Sequence, residues 1–169
     1  MRPVSATITI DVPRERLIDL ISDLSIRPAF TDHFLIDYRL ERIEPVGVGA
    51  SARFRLAGSG VWLDTVIERV ETPHLIRESG RGGRSNRLPL FTAWEVAEAP
   101  SPSGCELSLT FWTEPQTPFD KLRNPLGRGA PIRRGWVRAL RRLKDLAESG
   151  EQVERLSVAG GDRLPAFVR

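Results

Sequence analysis

The chain has 169 residues, 40% of them hydrophobic and 28% charged, which are the values of a folded globular domain and not of a disordered segment. One cysteine, Cys105, excludes an internal disulfide and suits a reducing compartment, while no run nears the roughly 18 apolar residues of a membrane span. The formal net charge of +3 is weak evidence for an anionic partner; its distribution says more, because the arginines crowd one loop and one helix.

The first ten residues alternate where a signal peptide would run continuously apolar, so the expected location is cytoplasmic. Residues 4–11 place Ala6, Ile8 and Ile10 on one face and Ser5, Thr7, Thr9 and Asp11 on the other, a half-buried strand. Pro13 then starts a short amphipathic helix over 13–24, with Glu15 in its first turn and Leu17, Leu20, Ile21 and Leu24 at helical spacing. Pro28 interrupts it, and 29–34 form a second short helical piece or a loop.

From Leu35 the period is two for about eighty residues. Ile36, Tyr38 and Leu40 share a face, as do Ala52, Phe54 and Leu56; Trp62–Glu71, Leu75–Ser79, Leu88–Val96 and Cys105–Glu114 continue the run. Short Gly/Pro turns leave no room for crossover helices, so these strands pair antiparallel. Gly80–Asn86 reads as a glycine-rich loop carrying Arg81, Arg84 and Arg87. Beyond Pro115 comes a capped helical piece broken by Gly127 and Gly129. A helix over 131–149 follows, whose stripe is Trp136, Ala139, Leu140, Leu143, Leu146 and Ala147. Gly150 stops it, and 151–169 form a tail expected to pack on the body.

One helix stripe and one apolar sheet face must cover each other. The expected architecture is therefore α+β: a curved antiparallel sheet wrapped around a long C-terminal helix, with two short helices after the first strand. The domain spans 1–150. A sheet of this curvature leaves a concavity that one helix does not fill, which implies a ligand cavity of a few hundred Å³.

The run from Ile8 to Asp23, the segment Val48-Gly49-Ala-Ser-Ala-Arg-Phe54, Thr113-Glu114-Pro115 and the Arg-rich Trp136–Leu146 helix resemble the START-like helix-grip superfamily. Within it they resemble most the polyketide cyclase/dehydrase and lipid-transport branch, usually labelled SRPBCC. The resemblance covers about residues 4–149. It implies a hydrophobic ligand pocket, in members that are aromatic-polyketide cyclases or lipid and hormone carriers. No catalytic motif of the family maps onto this chain.

Two inward polar residues are candidates for proton transfer. Tyr38 could hydrogen-bond and polarise a ligand carbonyl, or simply bury its ring. Glu78 shares a face with Ile76; inside the cavity it could serve as acid or base, and with the face reversed it is solvated. Leu40, Phe54, Thr65, Thr92, Phe111, Thr113 and Trp136, with Tyr38, are the expected ligand-lining set. His33 falls where this fold often has a cavity entrance, His74 at an exposed turn, and neither has companions spaced for a metal. No cofactor is implied. Arg133, Arg134, Arg138, Arg141 and Arg142 lie opposite the apolar stripe, where they are solvated or meet an acidic partner. No nucleic-acid reading motif accompanies them. Three functions stay open: a carrier of a lipid, acyl or aromatic ligand; a cyclase or dehydratase acting on one; and an interaction domain using the basic helix and the Arg81/Arg84/Arg87 loop.

Overall fold

A computed structural model describes residues 3–83, 87–99, 104–114 and 129–158. Strand β1 (Val4–Ile10) leads into helices α1 (Arg14–Ser22) and α2 (Pro28–Thr31). Six strands follow: β2 (Leu35–Leu40), β3 (Ser51–Leu56), β4 (Trp62–Glu71), β5 (Leu75–Gly82), β6 (Leu88–Glu98) and β7 (Cys105–Thr113). Helix α3 (Gly129–Ser149) comes last. The strands form one antiparallel sheet in the order β1-β7-β6-β5-β4-β3-β2, a meander whose final strand returns beside β1. Short turns between successive strands leave no other pairing.

Alternation puts the apolar half of each strand on the concave face, as Leu63 and Ile67 in β4, Leu90 and Trp94 in β6, and Leu107 and Leu109 in β7 show. Helix α3 covers that face with Ile132, Trp136, Ala139, Leu140 and Leu143, all buried at helical spacing. Leu146 is only partly buried, at the margin of the stripe. Two links fasten α3 to edge strand β1: Lys144 Nζ donates to the Thr9 carbonyl at 2.9 Å, and the Asp11 N–H donates to Glu148 at 2.8 Å. The first occupies an edge acceptor that a foreign strand could otherwise use.

Two irregularities curl the sheet and correct the sequence reading. Asp37 adopts φ 54°, and the β2–β3 register shifts between Ile36 and Arg39, so β2 carries a bulge. Ile36 therefore pairs with Arg55 on the convex face, while Leu35, Tyr38 and Leu40 point inward; strict alternation had grouped Ile36 with Tyr38. A second register shift falls between Ile67 and Arg69 of β4.

The other correction concerns Gly80 and Gly82, which continue β5 instead of opening a loop. A Cβ on Gly80 would stand 1.9 Å from the Asp64 carbonyl oxygen, and one on Gly82 would stand 2.1 Å from Leu63 Cδ2. At Gly80 the β4 backbone itself approaches so closely that only glycine fits, while at Gly82 the neighbour is the tip of a side chain. Gly80→Ala should cost about 1–3 kcal/mol, as overpacking does, where a flexible-loop glycine would change by less than about 0.5 kcal/mol. Urea denaturation separates the two. Arg81 is exposed, with its N–H bonded to Asp64; Arg87 is exposed just before β6; Arg84 lies outside the described residues.

Residues 150–158 turn back over the body. The Leu156 N–H donates to the Ser25 carbonyl at 3.1 Å, Arg155 lies 3.5 Å from Asp23, and Val158 packs against the core. The remainder of the expected tail, 159–169, lies outside the described residues. Among the described residues no helix is long and apolar enough to cross a membrane.

Candidate functional site

The site begins with the connection between the two short helices. Asp23 accepts hydrogen bonds from the Ser25 N–H and hydroxyl, at 2.9 and 2.5 Å, which tightens the turn after α1. That turn brings Arg27 beneath the end of α1 and against the concave face of the sheet. Arg27 Nη2 donates to the Ile21 carbonyl at 2.9 Å, satisfying one of the orphan acceptors at the helix C-terminus.

The same nitrogen donates to Glu78 Oε1 at 2.8 Å, and each side chain of this ion pair is only 3% exposed. Glu78 takes two more bonds, from Trp94 Nε1 at 2.8 Å and from the Thr65 hydroxyl at 3.0 Å. The guanidinium carbon stands 4.8 Å from the centre of the Trp94 ring. Burial is the largest influence on Arg27 and opposes its charge, but the charge and hydrogen bond of Glu78, with the charge of Asp23, together outweigh it, and the guanidinium is held above its ordinary pKa. Of the two orientations left open for Glu78, the structure has the inward one, and the carboxylate is not solvated.

Beside this polar cluster lies a cavity between the sheet and α3. Its polar end is Arg27, Glu78, Thr65 and Thr92. Its apolar wall is built from rings and aliphatic side chains, among them Phe34, Tyr38, Phe54, Phe111 and Trp136. Tyr38 stacks on Phe54 at 5.8 Å, while Trp136 meets Phe34 edge-on at 5.0 Å and Trp94 edge-on at 5.6 Å. The centre of a water-sized sphere has only about 10 Å³ to move in. That is room for roughly one water, so the expected few hundred Å³ is corrected. Aromatic rings fill the concavity that sheet curvature creates.

Six of the expected lining residues stand on this wall: Tyr38, Phe54, Thr65, Thr92, Phe111 and Trp136. Leu40 and Thr113 do not. Both are buried and face inward, but Leu40 packs in the core opposite Ala52, and Thr113 ends β7 opposite Leu90. So small a space does not reach them. The Tyr38 hydroxyl is buried and has no hydrogen-bond partner among the described residues, and neither has Arg27 Nε. Burial pushes the Tyr38 phenol well above its ordinary pKa; Arg27 partly offsets this and Glu78 adds to it, so the group stays a neutral donor.

His33 follows α2 and is not among the residues that line the cavity. Its Nε2 lies 3.1 Å from the Gly135 carbonyl and its Nδ1 3.3 Å from Arg142, which also pairs with Asp32. The arginine from α3 thus joins these two neighbours in sequence. Gly135 itself has Phe34 so close that an added Cβ would stand 2.6 Å from the ring. Among the described residues no group of His, Cys, Asp and Glu could hold a metal.

Periodicity missed Arg27 and Trp94. Trp94 was within reach, because it shares the β6 phase of Thr92. Arg27 sits in a connection with no period to place it.

The fold is that of several solved structures. Norcoclaurine synthase from Thalictrum flavum, in complex with dopamine and hydroxybenzaldehyde, superposes with a TM-score of 0.65 at 12% identity, over 90% of this chain and 89% of that one. A START superfamily protein from Mycobacterium smegmatis gives 0.60 at 11% identity, over 88% and 99%. DynU16, from the dynemicin biosynthetic locus, gives 0.58 at 16% identity; the match covers 89% of this chain but about half, 49%, of that longer one. A search of curated proteins found no match in sequence. The model of the family described as polyketide cyclase/dehydrase and lipid transport matches residues 1–148. With that match over nearly the whole chain, and a helix-grip sheet closed by α3 beneath it, the protein belongs to the polyketide cyclase/dehydrase and lipid transport family.

Proposed function

We propose that this chain binds a small hydrophobic ligand, a lipid, acyl chain or aromatic polyketide-like molecule, between the concave sheet face and α3. The observation that carries the reading is the cavity wall itself. Rings from α3, β2, β3 and β7 converge on one space with a single polar end, the pattern of a small-molecule site. Membership of a lipid-transport and cyclase family supports it, as does the shared fold of norcoclaurine synthase, whose structure holds aromatic molecules. Because the space now admits about one water, a ligand enters by displacing rings, and Phe34, wedged against Gly135, is the ring to move.

The reading is tested with the neutral dye 1-aminoanthracene. It should saturate at one molecule per chain, quench Trp136, and be displaced by acyl or aromatic compounds. Phe34→Ala, which opens the wall, should tighten dye binding several-fold. Absence of saturable binding in both proteins would sink the idea.

A second reading, a cyclase or dehydratase acting on such a ligand, is favoured by the buried Tyr38 hydroxyl, a neutral acid at the cavity wall beside a guanidinium. Glu78 suits proton transfer less well. Arg27, Trp94 and Thr65 already engage its oxygens, and we read it as the anchor of the α1–α2 connection.

A further inference from the structure

Three buried side-chain nitrogens or oxygens lack a hydrogen-bond partner among the described residues: Arg27 Nε, Tyr38 Oη and Arg55 Nε. Arg55 belongs to the convex face, where it pairs with Asp37 and lies near Trp62. The other two residues both line the cavity. A buried donor without an acceptor is costly and rare, so two on residues that line one small space ask for a common partner.

We propose that the polar end of the cavity is an acceptor-oxygen subsite, in which Tyr38 O–H and Arg27 Nε–H together hold a neutral carbonyl oxygen (ketone, aldehyde or ester) of an otherwise apolar ligand. This deepens the ligand-binding reading above and rests on it.

Three features define the chemistry. An Arg Nε–H can only donate, so its partner must be an acceptor; a pure hydrocarbon leaves it unpaired. The space is the size of one oxygen-bearing group, at about 10 Å³ for the centre of a water-sized sphere. Finally, the charge of Arg27 is already neutralised by Glu78 at 2.8 Å, with both side chains 3% exposed. A carboxylate would bring a second negative charge beside Glu78 in a desolvated place, whereas a neutral carbonyl brings none. The subsite therefore selects against free fatty acids and aromatic acids, although an arginine alone would have favoured them. Tyr38 fits the role because its phenol remains protonated at any physiological pH.

The test is displacement of 1-aminoanthracene by matched compounds: 2-acetonaphthone, 2-ethylnaphthalene and 2-naphthoate, with methyl laurate and laurate as an acyl pair. In the wild type the ketone should bind about tenfold tighter than the hydrocarbon, the effect of one well-made hydrogen bond. Each carboxylate should bind no tighter than its neutral carbonyl counterpart. Tyr38→Phe keeps the ring and its stack on Phe54, and should cut the ketone preference several-fold, leaving only the share that Arg27 Nε–H supplies. The carbonyl stretch of bound 2-acetonaphthone should lie at lower frequency in the wild type than in Tyr38→Phe, a readout that a loss of packing would not move. Equal binding of ketone and hydrocarbon in the wild type would overturn the subsite while leaving the ligand-binding reading intact. So would tighter binding of the carboxylates, or a ketone preference that Tyr38→Phe leaves undiminished. Failure of every compound to displace the dye would overturn both.

Discussion

Arg27→Met should unfold this protein more readily by about 3–5 kcal/mol, the loss measured when one partner of a buried ion pair is removed. For a chain of this length that corresponds to a fall in Tm on the order of 10 °C. The side chain that remains, Glu78, would be 3% exposed with its countercharge gone. Two neutral donors, Trp94 Nε1 and the Thr65 hydroxyl, would still reach it, but they do not replace a guanidinium. The Ile21 carbonyl at the end of α1 would also lose its donor. Most of the cost is thus a penalty on Glu78, which makes a distinctive prediction: Arg27→Met combined with Glu78→Leu should be less destabilised than Arg27→Met alone. Full recovery is not expected, because Trp94 and Thr65 then lack their acceptor. Guanidinium melts of the two single variants and the double variant close the cycle. If the two losses simply add, or Arg27→Met costs less than about 1 kcal/mol, the pair is not the anchor described here.

That anchor also shows where sequence reasoning stops. The sheet was legible because each strand repeats every two residues on one face, and α3 because Trp136, Leu140 and Leu143 recur at helical spacing. The same alternation placed Tyr38, Phe54, Thr65, Thr92 and Phe111 on the concave side, where the cavity lies. It failed at Ile36, since a bulge shifts the phase by one residue and nothing local but an Asp tolerant of positive φ announces it. It failed at Gly80 and Gly82 for a different reason. Glycine is used both for loose turns and for close backbone approach, and only the position of the Asp64 carbonyl tells them apart. Arg27 was beyond reach altogether. An inward Glu78 demands a cation, but the chain offers many arginines, and a non-periodic connection does not say which one arrives. The cavity's size was equally hidden, because it depends on how the rings of Phe34, Tyr38 and Trp136 settle and not on which face they occupy.

Leu140→Asp tests the packing of α3 with a result that depends on pH. Leu140 is 1% exposed between Trp136 and Leu143 on the buried stripe. Loss of the leucine side chain alone should cost about 2–5 kcal/mol, and an unpaired carboxylate in its place adds to that. The addition is not fixed. An Asp in the unfolded chain titrates near about 3.9, and burial raises the folded value above it. Between those two pKa values the folded state binds more protons than the unfolded state, so the stability of the variant relative to wild type falls as pH rises. Below the unfolded pKa both states are protonated, and only the packing loss remains. Above the raised folded pKa the deficit is at its largest and is constant. Each unit of pKa separation contributes about 1.4 kcal/mol to the difference between those two plateaus. Leu140→Asn, which removes the same packing and cannot ionise, should show the low-pH deficit at every pH, without the slope. Chemical denaturation of the three proteins between pH 4 and pH 8 reads this directly. A Leu140→Asp protein that tracks the wild type in midpoint, or that parallels Leu140→Asn at all pH values, would mean that position 140 faces water and that α3 does not cover the sheet with this stripe.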